Sequence, residues 1–446
     1  MSYLSRRLHL RLPEIVREYL REGENLVDRW PPERLAGYHR QALFRILTHA
    51  WEHNRFYRRK FLEAGIVPAA LALPEDLHRV PLTSKEEIRG QPWVLLSVPR
   101  HQVSQIHVST GTTGGDQIYI PHTWEDLYVR NLAPAMRRLV PVGIDDVVIN
   151  ALPYEMSSAG LAFHRTFQKG CGALVMPAGK GGYYSTPERT LRAARDLGAT
   201  ILITTPSYAV LLAEVAQEEK IVLAEIPLRF LWLTGEGCSP AFRERIEALW
   251  GHPAYFYYGS LEAGPIGIEC MARGGYHLAA GHVYVEIVDP DTTRPLAPGE
   301  TGEIVITELT RLASPVIRYR TGDFGYLDDA PCACGVPLWK LSLRGRVDDQ
   351  IRVNGVAHSP YYLEEFLMRS PEVGNWYQFL PKSDRISIRV EPAPGVTPSE
   401  AIRQAIESRL EYETGIPVEV QFVSQVPRSG GKTLRVIHEH PDPDRG

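Results

Sequence analysis

Ser109-Thr110-Gly111-Thr112-Thr113-Gly114-Gly115 packs four hydroxyls and three glycines into seven residues of a 446-residue chain. Glycines let backbone N–H groups converge on an anion, and the hydroxyls add donors that follow phosphate oxygens as they move. The stretch lacks the Gly-Lys-[Ser/Thr] ending of a Walker loop, which disfavours a kinase or GTPase of that class. Alone it reads equally well as a flexible polar turn. Its meaning therefore depends on what the rest of the chain supplies.

Upstream, Leu43, Ile46, Leu47 and Trp51 recur at helical spacing between Tyr38 and Gly65, so the N-terminal region is expected to be helical. Downstream, the apolar runs Val147-Val148-Ile149, Ile201-Leu202-Ile203 and Phe230-Leu231-Trp232-Leu233 alternate with helical segments such as Pro187 to Leu197. That rhythm predicts a buried, largely parallel sheet with helices on its faces. After Gly281 the pattern changes to the alternation Val283, Val285, Ile287 and then Ile304, Ile306, which predicts an antiparallel or barrel-like piece. From Arg344 onward, a helix near Tyr361 to Met368, a strand through Ile386-Ile388-Val390, a helix from Ser399 to Leu410 and a strand Val418 to Val423 make a separate unit. The expected fold is α/β: a large N-terminal domain over residues 1–343, with mostly parallel sheets flanked by helices plus a β-rich subdomain, and a small α+β C-terminal domain over residues 344–446. The polar, glycine-bearing stretch Arg344-Gly345-Arg346-Val347-Asp348-Asp349 suits a hinge near 346–349.

Composition narrows the partners. Hydrophobic residues at 44% and charged residues at 23% match an average globular protein, and a net charge of -4 argues against nucleic acid or an anionic membrane as the main partner. The first helix carries Arg6, Arg7 and Arg11 but no apolar core of a secretory signal, and no stretch reaches ~18 apolar residues, so a cytoplasmic protein with small-molecule partners is expected. Five cysteines in so long a chain make a disulfide framework a poor reading. Cys332 and Cys334 sit one residue apart in a turn, and Cys270 with His277 would complete a tetrahedral Cys₃His site for structural zinc. Cys171 and Cys238 read as buried thiols.

Three further segments bear on chemistry. Asp323, in Tyr319-Arg320-Thr321-Gly322-Asp323, is an acceptor-only group able to receive both ribose hydroxyls of a nucleotide, with Thr321 and Gly322 forming a turn that aims it. Glu262, in Tyr258-Gly259-Ser260-Leu261-Glu262, offers the hard oxygen that Mg²⁺ prefers, and Tyr258 offers a flat face for adenine. Lys432 stands on the glycine-rich turn Arg428-Ser429-Gly430-Gly431-Lys432-Thr433 ahead of a predicted strand Leu434 to Ile437.

With Thr205-Pro206-Ser207-Tyr208, Gly235-Glu236-Gly237 and Gly345-Arg346-Val347-Asp348-Asp349, these motifs fall in the order and approximate spacing of the acyl-adenylate-forming superfamily. From about residue 40 to residue 437 the chain resembles phenylacetate-coenzyme A ligases and their relatives. The resemblance implies that Ser109 to Gly114, Gly235 to Gly237, Tyr258, Gly259, Asp323 and Arg346 bind ATP and that Glu262 holds Mg²⁺. It implies that Lys432 is the catalytic lysine between substrate carboxylate and α-phosphate, that Asp348 is the pivot of a mobile C-terminal domain, and that the four Cys/His residues hold zinc. Tyr154, Gly160, His164 and Tyr208 are expected to line the acid pocket, with an aromatic or otherwise flat apolar acid as substrate, coenzyme A as acceptor and a homodimer as a possible assembly.

Three departures stand out. Gly115-Asp116 ends the phosphate loop where many relatives have a lysine, Phe256 stands where a polar side chain is usual, and Leu261 replaces a hydroxyl residue. Two other readings remain open: an adenylating enzyme whose acceptor is an amine, a carrier-protein thiol or a deazaflavin, and a non-catalytic, zinc-containing nucleotide-binding homologue.

Overall fold

The computed structural model describes residues 27–109, 116–128, 139, 142–156, 158–347, 349–428 and 434–437. It divides into two compact units, each discontinuous in sequence: Met1–Gly179 with Tyr255–Leu343, and Lys180–Ala254 with Arg344–Gly446.

In the first unit, the helical stretch expected between Tyr38 and Gly65 is two helices, Pro32–His53 and Arg55–Glu63. Asn54 separates them in an extended conformation, accepting the Tyr57 N–H at 3.0 Å and donating to the carbonyls of Val94 and Leu96 at 3.1 and 3.3 Å. The apolar period runs on across the break, but a buried asparagine that caps one helix ends the other. Seven strands follow one another across the sheet in the order Val283–Val288, Gly302–Glu308, Tyr319–Asp328, Lys340–Arg346, Tyr276–Leu278, Gly264–Glu269 and Ala254–Ser260. The pairings Val285↔Ile306, Val305↔Arg320, Lys340↔His277, Ile268↔His277 and Tyr257↔Ile268 are antiparallel, as the alternation after Gly281 predicts. Parallel pairing in this unit joins Val147–Asn150 to Leu174–Pro177. A separate antiparallel hairpin, Val103–Val108 with Tyr119–Thr123, carries the glycine-rich loop at its tip.

In the second unit, Ile201–Thr204 runs parallel to Phe230–Thr234. The helices Pro187–Asp196, Pro206–Glu218 and Pro240–Trp250 each begin with proline behind Thr186, Thr205 or Ser239, whose side chain accepts a first-turn N–H. A hydroxyl cap followed by proline is a local start signal, because proline needs no donor partner there. The C-terminal segment has the expected α+β form: Val373–Pro381 pairs antiparallel with Ile386–Pro392, which pairs parallel with Val418–Phe422, and the helices are Pro360–Met368 and Glu400–Thr414. Residues 434–437 lie along Phe379, whose N–H and C=O bond Arg435 and Ile437 at 2.7 and 2.8 Å.

Arg245 ties the two segments of this unit together. It donates to the carbonyls of Met368 at 2.6 Å, Ser370 at 2.6 Å, Val373 at 2.7 Å and Gly374 at 3.2 Å. Arg245→Ala orphans these acceptors together and is expected to cost ~3 kcal/mol of stability, read as a lowered urea midpoint.

Candidate functional site

The hairpin fixes the residues on either side of the glycine-rich stretch: the Ser109 N–H donates to the Ile118 carbonyl at 2.9 Å, and Ser109 Oγ accepts the Ile118 N–H at 2.8 Å. Thr110, Gly111, Thr112, Thr113 and Gly114 lie outside the described residues, as do Asp348 and Lys432.

Asp323 is aimed by a β-bulge where the sequence predicts a turn. Between the pairs Val305↔Arg320 and Glu303↔Phe324, the single residue Ile304 faces Thr321, Gly322 and Asp323. Gly322 takes φ of 71°, a left-handed value that glycine accepts without strain. Thr321 Oγ1 donates to the Ile304 carbonyl at 2.8 Å and accepts the Asp323 N–H at 3.0 Å. A bulge re-aims a side chain without ending the strand. The Asp323 carboxylate thereby receives the Tyr258 hydroxyl at 2.5 Å.

Glu262 is 9% exposed, and its Oε1 accepts the Tyr319 hydroxyl at 2.9 Å. Arg311 grips the Glu262 carbonyl and is itself held by the Ser314 carbonyl at 2.9 Å. Gly259 keeps this turn tight: a Cβ there would meet the Gly264 carbonyl oxygen at 2.6 Å. The sequence gives Tyr319 no role of its own, since its link to Glu262 spans 57 residues.

The first unit also groups the expected acid-pocket residues Tyr154, Gly160 and His164. The Tyr154 hydroxyl lies 3.1 Å from His164 Nδ1, and the Gly160 carbonyl accepts from Asn150 Nδ2 at 2.8 Å. Burial pushes the Tyr154 phenol above its ordinary range, so it remains a donor. Tyr208 belongs to the second unit, on the first turn of Pro206–Glu218; it is 4% exposed, its hydroxyl has no hydrogen-bond partner among the described residues, and burial pushes it up to about 12.

In the second unit Glu236 is held by the Ser207 N–H at 3.1 Å, the Ser207 hydroxyl at 2.8 Å and Lys180 Nζ at 3.2 Å. Burial works against ionisation, but Lys180 and Ser207 outweigh it and keep the carboxyl below its usual range. Gly235 and Gly237 flank it with exposed backbone. Sequence reading gave Lys180 no part; its setting, Gly179-Lys180-Gly181-Gly182, was the available signal. Arg346 ends the strand Lys340–Arg346, and its carbonyl accepts from Gln350 at 2.7 Å.

Cys270, His277, Cys332 and Cys334 place their ligand atoms within 4.8 Å of one another. Cys270 Sγ and Cys332 Sγ are 3.6 Å apart, and Cys334 Sγ is 3.3 Å from His277 Nε2. The Leu338 carbonyl lies 3.1 Å from His277 Nδ1 and so fixes Nε2 as the ligand atom. Three sulfurs and one imidazole nitrogen make a full tetrahedral donor set of the kind zinc takes. Among the described residues the other thiols, Cys171 and Cys238, form no disulfide; the first is buried and the second half-buried, donating to the Ser239 carbonyl at 3.4 Å.

Residues 71–310 match the family model described as AMP-binding enzyme, and residues 355–440 match that of the AMP-binding enzyme C-terminal domain. The chain belongs to the AMP-binding enzyme family. It is similar to the phenylacetate-coenzyme A ligase of Thermus thermophilus, at 32% identity over 91% of this chain and 97% of that one. It is also similar to the phenylacetate-coenzyme A ligase of Escherichia coli, at 31% identity over 91% and 95%. A solved 2-hydroxyisobutyryl-CoA ligase in its postadenylation state matches with a TM-score of 0.84 at 25% identity, covering 93% of this chain and 91% of that one. Within the family, the chain is an AMP-forming acid–coenzyme A ligase. Among the described residues, no helix is long and apolar enough to cross a membrane.

Proposed function

We propose that this ligase activates an aromatic or otherwise flat, apolar acid, with the residues of the site in the following roles. The acid carboxylate attacks the α-phosphorus of ATP and pyrophosphate leaves; the coenzyme A thiol then attacks the acyl carbonyl and AMP leaves. The observation that carries the nucleotide assignment is the bulge that presents Asp323 beside Tyr258. A carboxylate accepts from two vicinal ribose hydroxyls, and the tyrosine ring beside it supplies a face for adenine. Gly235, Glu236 and Gly237 bind the nucleotide, and within their own unit Lys180 and Ser207 keep Glu236 in place. Ser109 to Gly114 hold the phosphates, and Arg346 contacts the nucleotide.

Glu262 fits Mg²⁺, since Tyr319 occupies one carboxylate oxygen and leaves Oε2 for a cation. When bound, Mg²⁺ supplies charge neutralisation on the phosphate oxygens. Lys432 lies between carboxylate and α-phosphate, on a domain of residues 344–446 that turns about Asp348 between the half-reactions. Zinc held by Cys270, His277, Cys332 and Cys334 braces strands and takes no part in the reaction. The aromatic preference draws on the named substrate of the phenylacetate-coenzyme A ligases and on the Tyr154–His164 pair.

Pyrophosphate release across a panel of acids, followed by mass spectrometry of the thioester, tests the assignment. Arylacetic or benzoic acids are expected to be preferred; turnover with branched aliphatic acids alone overturns the aromatic reading. Tyr258→Phe removes the donor to Asp323 and is expected to raise KM for ATP about 5-fold, roughly 1 kcal/mol, with kcat nearly unchanged in steady-state assays.

A further inference from the structure

The hairpin that carries the glycine-rich loop also buries a cluster that the adenylation chemistry leaves unused. His107 and His122, on its two strands, have ring centroids 4.4 Å apart and are 3% and 8% exposed. Among the described residues the Nε2 atom of each is buried without a hydrogen-bond partner. Gln105 shares a face with His107 and pairs with His122 in the hairpin register. Its Oε1 accepts from Nη1 of Arg165 at 3.5 Å, which brings the end of the helix Ala159–Arg165 onto the same face. The guanidinium carbon lies 5.7 Å from the centre of the Tyr128 ring. Tyr128 is also a side-chain hydrogen-bond partner of this guanidinium, but among the described residues its Nε and Nη2 atoms are buried without a partner.

Those two nitrogens are not an arbitrary pair. Nε–H and Nη2–H are the parallel donors of the guanidinium fork, spaced to grip the two oxygens of a carboxylate or phosphate. Among the described residues no carboxylate pairs with Arg165. The neighbouring stretches outside them, residues 110–115 and 129–138, contain no aspartate or glutamate. Burial, with the positive charges of Arg165 and Arg311, pushes His107 down to about 4 and lowers His122 as well. Both rings are therefore neutral at pH 7, and neither offsets the charge of the Arg165 guanidinium. A cation taken out of water without a counter-anion is strongly unfavourable, and two orphaned imidazole nitrogens beside it add to the imbalance.

We propose that Arg165, His107 and His122 form an oxyanion-binding site, in which one carboxylate or phosphate group bridges Nε and Nη2 of Arg165 and meets the imidazole Nε2 atoms. Two sources carry that chemistry: a second acidic group on the acid being activated, or a phosphate of the nucleotide or pyrophosphate. The site deepens the ligase reading, and only its kinetic arm rests on it.

Calorimetric titration of the full chain with glutarate and with inorganic pyrophosphate, compared with Arg165→Met and Arg165→Lys, decides the matter. Methionine keeps the stem without the charge, and lysine keeps the charge without the fork. Wild type is expected to bind one probe at least 10-fold more tightly than both variants. Loss confined to glutarate, with a 10-fold fall in kcat/KM for dicarboxylic over matched monocarboxylic acids, assigns the site to the substrate acid. Loss confined to pyrophosphate, with raised KM for ATP whatever the acid, assigns it to the nucleotide. Wild type that binds neither probe, or variants that bind both as wild type does, overturns the proposal. Should Arg165→Met fail to fold, Arg165→Lys and His122→Asn carry the comparison. Failure of the ligase reading shows separately, as wild type forming no thioester with any acid.

Discussion

Lys432→Ala is expected to lower acid-dependent exchange of pyrophosphate into ATP by ~10²- to 10³-fold, while thioester formation from a supplied acyl-adenylate stays within a few-fold of wild type. The asymmetry follows from where charge accumulates. In the first half-reaction an anionic carboxylate must approach an anionic phosphate, and negative charge then moves onto the departing pyrophosphate. An ammonium between them offsets the repulsion in the approach and more strongly in the transition state. No general base is needed, because the carboxylate is already ionised at neutral pH. The second half-reaction expels AMP, with no pyrophosphate to neutralise. The sequence raises the stakes on this residue: the loop ends in Gly115-Asp116, without the lysine many relatives carry there. Lys432→Arg should recover only part of the loss, since the planar fork cannot replace a compact point charge between two anions. Unchanged exchange in Lys432→Ala would remove the mechanism proposed for this site.

What the sequence discloses and what it withholds follow from the range of the interactions. Helix starts at Thr186-Pro187, Thr205-Pro206 and Ser239-Pro240 are legible, because cap and proline act within one turn. The Cys/His set is legible because Cys332 and Cys334 stand one residue apart in a turn and few other thiols compete for the role. Asn54 hides inside an unbroken apolar period, and only its bonds to Val94 and Leu96, some 40 residues on, show why the helix stops. Asp323 was visible as an acceptor, but its aim depends on the register of two strands. The same holds for Lys180 with Glu236, 56 residues apart, and for Arg165 with Gln105, 60 apart. The division into units was equally out of reach, because Lys180–Ala254 joins the C-terminal segment through Arg245 and carbonyls more than 120 residues away. Periodicity reports which face is buried; it does not report against what.

Cys332→Ser should reduce bound zinc from about one per chain to a small fraction and lower the thermal midpoint. The geometry explains why one ligand suffices. His277 lies on a strand paired with Lys340 on one side and Ile268 on the other, so its imidazole is fixed by the sheet. Cys332 and Cys334 come from a turn closed by the Gly335 N–H on the Cys332 carbonyl at 3.0 Å. A metal between them would cross-link sheet and turn, and its loss would free the turn and leave three polarisable groups crowded at a half-buried site. Without metal, burial pushes the Cys334 thiol up to about 12 and raises Cys270 too, whereas Cys332 is held low by the Cys334 N–H and the neighbouring thiols against the push of burial. Zinc needs thiolates, so binding must expel protons from Cys334 and Cys270. Affinity therefore rises with pH, and the stability that zinc supplies is lost as pH falls. Metal analysis with and without chelator at pH 5.5 and pH 8 is expected to show faster release at the lower pH in wild type. A Cys171→Ser control should keep its zinc and its midpoint, since Cys171 lies outside the four-ligand cluster. Full zinc content in Cys332→Ser would exclude the site.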